Sequence, residues 1–162
     1  MLETKRLILR KLEISDGDDL VMILTNPNVY RYLGGGQGIT EERARQWPSI
    51  FNQRWLDNGY GVFGVVEKNS NKLIGYCGFA PMKDGQELLY GYCQAVWGKG
   101  YATEAGQAVL EYARINFDFD WSKIYAISWP QNKGSINLLT KLGFKHIGQA
   151  EYFDIMMEEF QL

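Results

Sequence analysis

Trp97-Gly98-Lys99-Gly100-Tyr101-Ala102-Thr103-Glu104-Ala105 is the stretch whose reading decides this fold. Ahead of it runs an aromatic, β-prone segment, Leu88-Leu89-Tyr90-Gly91-Tyr92-Cys93. Behind it Ala102, Ala105, Val109, Tyr112 and Ala113 recur at helical spacing on one face. The order is strand, glycine loop, helix. Glycines let a backbone approach a ligand that a Cβ would hold off. Successive loop N–H groups can then converge where the helix N-terminus adds its partial positive charge. A phosphate-bearing ligand suits that arrangement. A glycine turn that merely packs the helix is the competing reading.

Two familiar phosphate loops are excluded. No Gly-x-x-x-x-Gly-Lys-Ser/Thr occurs, and Gly98-Lys99-Gly100 lacks the third glycine of a dinucleotide fingerprint. A second motif follows the strand expected over residues 123–129. Pro130 ends that strand, Asn132 is placed to cap a helix, Ile136, Leu139 and Leu142 share one side of it, and Gly143 stops it.

Together these residues resemble the GNAT acyltransferase superfamily. Its acetyl-CoA loop reads Gln/Arg-x-x-Gly-x-Gly/Ala, matched here by Trp97 to Ala102 with tryptophan in the first position. Tryptophan there is typical of the branch that holds the ribosomal-protein N-terminal acetyltransferases. Asn132-x-x-Ser135 and Lys141-x-Gly143-Phe144 resemble a later segment of the same family, and Leu2 to Arg10 resembles the first strand of the branch. The resemblance covers nearly the whole chain, so residues 1–162 are expected to form one domain. It implies an α+β fold with a mixed, mostly antiparallel central sheet flanked by helices, two of whose strands splay to form a slot for acetyl-CoA.

Composition sets the outer bounds. At 162 residues with 46% hydrophobic and 22% charged residues, the chain can bury a full core. A net charge of −2 argues against broad nucleic-acid binding. No apolar run approaches the roughly 20 residues of a membrane span. Glu3, Lys5, Arg6 and Arg10 interrupt any signal-like stretch, so a cytoplasmic location is expected, as a monomer or homodimer. Cys77 and Cys93 are expected to be free thiols, and with His146 as the one histidine a metal site has little to be built from.

Between the motifs, strands are expected over 6–11, 60–67, 72–80, 86–93, 144–148 and 152–160. Helices are expected from a Ser15 cap to Thr25, over 29–33 after the break Asn26-Pro27-Asn28, and in one run from Thr40 to Leu56. Gly34-Gly35-Gly36-Gln37-Gly38 reads as a mobile connector beside the substrate entrance.

The resemblance assigns roles along the chain. Main-chain N–H groups of Gly98, Lys99, Gly100, Tyr101, Ala102 and Thr103 would hold the pyrophosphate, the Lys99 side chain either adding charge or staying solvated. The main chain at Tyr90, Tyr92 and Cys93 would pair with the pantetheine arm like an added strand. Asn132, Ser135 and Asn137 would line the other side of the slot. The reaction implied is direct transfer of an acetyl group to a primary amine, either a protein N-terminus or a small amine such as a polyamine, amino acid or aminoglycoside. A non-catalytic acyl-CoA sensor and a transferase of longer acyl groups are the alternatives.

A main-chain N–H at Tyr92 is the expected oxyanion donor. Many family members carry a tyrosine as general acid at the position of Leu139, and here that acid is absent. Glu87 resembles a glutamate of the branch and is the candidate base. Strand alternation places Glu87 and Tyr90 on opposite faces, so both could serve one site only through a bulge between them. The aromatic share of 14% offers Tyr30, Tyr32, Trp47, Tyr76 and Trp129 either to a substrate pocket or to the core.

Overall fold

The computed structural model describes residues 1–162. Eight strands form one sheet: β1 (Leu2–Glu3), β2 (Leu7–Arg10), β3 (Val62–Glu67), β4 (Lys72–Met82), β5 (Gly85–Tyr92), β6 (Ile124–Ser128), β7 (Lys145–Tyr152) and β8 (Ile155–Gln161). Their spatial order is β1-β2-β3-β4-β5-β6-β8-β7. Every pairing is antiparallel except β5 with β6, which run parallel and meet only at Gln86–Ile124 and Glu87–Tyr125. Beyond Glu87 the two strands part. The fold is α+β, mixed and mostly antiparallel.

Six helices cover the two faces. One face carries α1 (Gly17–Leu24), α2 (Pro27–Tyr30), α3 (Glu41–Arg45) and α4 (Trp47–Asn58), and the other carries α5 (Tyr101–Asn116) and α6 (Lys133–Lys141). Alternation along the strands feeds both. Leu7, Leu9, Phe63, Val65, Leu88 and Tyr92 pack with Ala105, Val109 and Leu139 under α5 and α6. Val62, Val66 and Tyr76 pack with Leu20, Leu24 and Phe51 on the opposite face, joined by the half-buried Leu89. Each large aliphatic side chain so buried contributes about 1.5–3 kcal/mol, and the period-2 pattern fixes which residues go to which face.

Several boundaries differ from expectation, each for a local reason. The single helix expected over 40–56 is two helices, hinged at Gln46. Pro48 has no N–H to give Ala44, which ends the first ladder and starts a new one. Asn26-Pro27 separates α1 from α2 as expected, but α2 starts two residues early, at Pro27, because the Asn26 side chain accepts from Asn28 N–H and Pro27 sits in the first turn. Ser15 is not the cap of α1. A 3₁₀ turn over Ile14–Asp16 precedes it, and Asp16 accepts from the Glu13 N–H while forming a two-pronged ion pair with Arg10 at 2.8 Å. The last hairpin is longer on its first strand than expected. It turns at Phe153-Asp154, both left-handed (φ 55° and 61°) without a glycine to signal it.

Candidate active site

The parting of β5 from β6 opens a cavity of about 480 Å³ that passes through the sheet. On the α5–α6 side it is walled by Trp97, Gly98, Ala102, Asn132, Ser135 and Leu138. On the α2 side it is walled by Val29, Arg31, Tyr32 and Gly34, with Trp129 and Phe153 at the same mouth. Strand β5 supplies its floor continuously from Glu87 to Tyr92.

Strand β5 keeps one register against β4 throughout, from Met82–Gly85 to Gly75–Tyr92, so no bulge lies between Glu87 and Tyr90. Glu87 and Tyr90 do lie on opposite faces. They reach the same cavity because the cavity crosses the sheet where β6 leaves. Parity also sets the main chain. Cys93 donates its N–H to Ile74 O at 2.8 Å, and bonded pairs alternate along an antiparallel ladder. Tyr92 and Tyr90 therefore turn their N–H and C=O away from β4, into the gap. Cys93 does not, since its carbonyl also accepts from Val96 N–H at 3.2 Å. Its main chain is fully used inside the fold, which removes it from the slot-facing set.

Gly98 and Gly100 both adopt left-handed backbone, φ 75° and 79°. This is the conformation for which only glycine carries no penalty, and it turns the loop onto the start of α5. The N–H of Lys99 is spent on Val96 O at 3.3 Å. Those of Gly98, Gly100, Tyr101, Ala102 and Thr103 find no acceptor in the chain, as the first turn of a helix requires. Five free N–H groups gathered at a helix N-terminus suit an anion. The Tyr101 side chain lies elsewhere, its hydroxyl donating to Glu67.

Behind the loop stands a brace that sequence reading missed. The Arg6 guanidinium bonds Glu104 at 2.6 Å, donates to Lys99 O at 2.9 Å and lies 4.1 Å over the Tyr101 ring. Glu104 further accepts from Thr4 Oγ1 and the Arg6 N–H, and these bonds hold its carboxyl below the usual range despite partial burial. Thr4, Arg6 and Glu104 were each visible inside the quoted motifs. Only the pairing of β1–β2 beside α5 brings them together. Trp97, the odd residue of the loop motif, donates its indole N–H to Tyr92 O at 3.0 Å and so ties the loop to the end of β5.

Helix α6 brings Asn132 and Ser135 to the edge of the cavity. Asn132 caps it, accepting from Ser135 N–H at 3.2 Å, and Ser135 Oγ lies 2.7 Å from the Tyr90 hydroxyl. Burial pushes that phenol's pKa up, keeping it protonated. Asn137 is exposed and does not border the cavity: two residues beyond Ser135 it has rotated about 200° around the helix. Leu139 is fully buried in the core, and Leu138 is the residue that faces the slot. The Glu87 carboxylate makes no hydrogen bond within the chain, and burial pushes its carboxyl up to about 7, with Arg54 opposing slightly.

Of the five aromatics singled out, Tyr32 and Trp129 border the cavity, while Trp47 and Tyr76 pack edge-to-face in the core at 5.2 Å. Tyr30 packs against Gly38 and stays outside. Cys77 and Cys93 are both free thiols, and His146 sits on the outer hairpin bonded to Glu158. No helix is long and apolar enough to cross a membrane.

The sequence and fold have counterparts among known proteins. The profile of the acetyltransferase (GNAT) domain matches residues 6–145. The N-acetyltransferase p20 of Bacillus licheniformis is 32% identical over 150 residues, covering 91% of this chain and 83% of that one. Among solved structures, a GNAT-family acetyltransferase from Bacillus anthracis superposes with a TM-score of 0.81 at 24% identity, over 98% of this chain and 94% of the other. The spermidine N-acetyltransferase of Vibrio cholerae, solved with CoA and spermine, superposes with a TM-score of 0.79 at 20% identity, over 98% and 96%. With the profile spanning most of its length, the chain belongs to the GNAT acetyltransferase family and is an N-acetyltransferase.

Proposed function

We propose that the protein transfers an acetyl group from acetyl-CoA directly to a primary amine within the through-sheet cavity. The observation that carries this reading is the conjunction of five unpaired N–H groups at the start of α5 with the Tyr90 main chain and the Tyr92 N–H turned into the gap, the Tyr92 carbonyl being held by Trp97. The first set suits a pyrophosphate. The second suits the amide-bearing pantetheine arm, received as if it were a strand. The CoA bound to the Vibrio cholerae relative is in keeping with both.

The chain's own residues divide the chemistry. The amine nitrogen forms a bond to the acetyl carbonyl carbon, the carbon–sulfur bond breaks, and CoA leaves as thiolate. Glu87, a carboxylate titrating near neutrality, takes the proton the amine must lose. The Tyr92 N–H meets the oxygen on which negative charge develops. With leucine at 139, the Tyr90 and Ser135 hydroxyls beside the cavity bond each other and can hydrogen-bond a leaving thiolate before solvent protonates it. A reaction drawing on acetyl-CoA, with both cysteines kept as thiols, fits a cytoplasmic setting.

Calorimetric titration with acetyl-CoA, paired with thiol release over a panel of primary amines, tests the reading. Saturable binding and turnover with at least one amine are expected. Absence of acetyl-CoA binding by the folded protein overturns it.

A further inference from the structure

The α2-side mouth of the cavity has a charge pattern that bears on the acceptor. Glu87 is the one carboxylate lining the cavity, against the cations Arg31 and Lys133. Lys133 belongs to the start of α6, where its ammonium donates to Pro130 O. Arg31 belongs to the other mouth. It is exposed, forms no ion pair, and rests its guanidinium over the Tyr32 ring at 4.8 Å from the centroid. Stacking on an aromatic face leaves the in-plane N–H fork free for a planar anion.

The rest of this mouth is aromatic and held in place. Tyr32 meets Trp129 edge-to-face at 6.4 Å, and the Trp129 indole N–H is fixed by Gly34 O at 3.2 Å. Phe153, at the tip of the β7–β8 hairpin, is 60% exposed and sits beside Gly34 and Gly35 with a left-handed backbone. A bulky aromatic side chain kept out in solvent on unfavourable backbone marks a surface shaped for something other than packing. The glycine run 34–38 seats these rings: a Cβ at Gly36 would come within 3.1 Å of Trp129.

From this we infer that the acceptor is a free amino acid with an aromatic or large apolar side chain, its amine directed to Glu87, its carboxylate to Arg31, and its side chain to the Tyr32–Trp129–Phe153 wall. The inference rests on the acetyl-transfer reading above and names the substrate class of that same site. A polyamine fits poorly, because its further ammonium groups would meet Arg31 with no second carboxylate to receive them. A protein N-terminus lacks the carboxylate adjacent to its amine.

The test measures thiol release from acetyl-CoA with phenylalanine, tryptophan, leucine and methionine, each beside its C-terminal amide, and with spermidine and a short peptide. Wild-type protein and Arg31→Ala are compared, with acetyl-CoA affinity measured on both. At least one amino acid should turn over with kcat/KM about ten-fold or more above its amide, the weight of one charge-assisted hydrogen bond. Arg31→Ala should raise KM for the acid by a similar factor, leave the amide unchanged and leave acetyl-CoA affinity intact. Equal rates for acid and amide, preference for spermidine or the peptide, or indifference to Arg31→Ala would each overturn the acceptor class. Turnover confined to another amine, or none with any of these while acetyl-CoA still binds, refutes the acceptor class and leaves the cofactor site standing. Loss of acetyl-CoA binding in the wild type would remove both.

Discussion

Glu87→Gln should make the protein more stable and less active, and both effects should depend on pH. Burial raises the folded-state carboxyl from 4.5 to about 7. A carboxylate with a raised pKa leaves the fold at full strength below the unfolded value and weakens it as pH climbs through the folded value. Each pH unit between the two costs about 1.4 kcal/mol, so ionising Glu87 in place costs about 3 kcal/mol above pH 8 and less than about 1 kcal/mol at pH 5. Glutamine has the shape of the protonated acid and removes that cost. For a chain of this length the variant's Tm should rise by roughly 6–12 °C at pH 8.5 and by only about 1–3 °C at pH 5, measured without acetyl-CoA. The wild-type rate should climb through pH 7, while the variant's rate stays flat and falls about 10²- to 10⁴-fold. Equal Tm gains at both pH values would refute the charge argument, since a packing effect does not titrate. An unchanged pH–rate profile would refute Glu87 as the base.

Gly98→Glu places a side chain where an added Cβ meets nothing within 4 Å, so the fold should lose only the left-handed backbone cost of about 1–2 kcal/mol. Acetyl-CoA affinity should drop at least about a hundred-fold from repulsion of the pyrophosphate, read by calorimetry. Asn132→Ala should cost about 1 kcal/mol as a lost cap. If Asn132 also meets the donor, the dissociation constant rises with it, and unchanged affinity returns it to capping alone. Arg6→Ala leaves Glu104 without its cation beside the anion site, and should cost about 1–3 kcal/mol of stability and weaken acetyl-CoA binding, while Arg6→Ala with Glu104→Gln recovers part of the affinity.

The elements that depend on nearby residues were legible in the chain. Alternation located β3, β4 and β5, and Gly98-Lys99-Gly100 located the start of α5, because period and turn chemistry act over a few residues. The failures come from partners far apart in sequence or from chemistry misassigned at a turn. Pro48 was visible and decides the hinge between α3 and α4. Asn26 does end α1, but asparagine before proline also caps, so α2 begins at Pro27 rather than at Val29. The Phe153-Asp154 turn carries no glycine, so nothing local announces it. The Arg6–Glu104 brace joins residues 98 apart, and no local pattern encodes it.

The role of β5 was the least legible feature and the one that explains the site. A strand alternates its side chains between two faces, and in a closed sheet those faces never share a solvent space. Here β6 leaves after Glu87, so the alternation becomes a division between two compartments joined at one edge. Tyr90 and Tyr92 send side chains toward α5 and α6, and their main chain faces the gap. Glu87 sends its carboxylate toward the α2 side from the last residue that still pairs with β6. In the proposed reaction a donor entering along α5 and an acceptor entering beside α2 would meet at the fork, next to that carboxylate. The same fork accounts for Gln94, whose side-chain oxygen accepts from Asn28 at 3.1 Å and from Asn26 at 3.3 Å. Those bonds tie the segment leading into the glycine loop to the cap of α2, so the glycine loop and the α2-side wall are held to one another across the exit of a single strand.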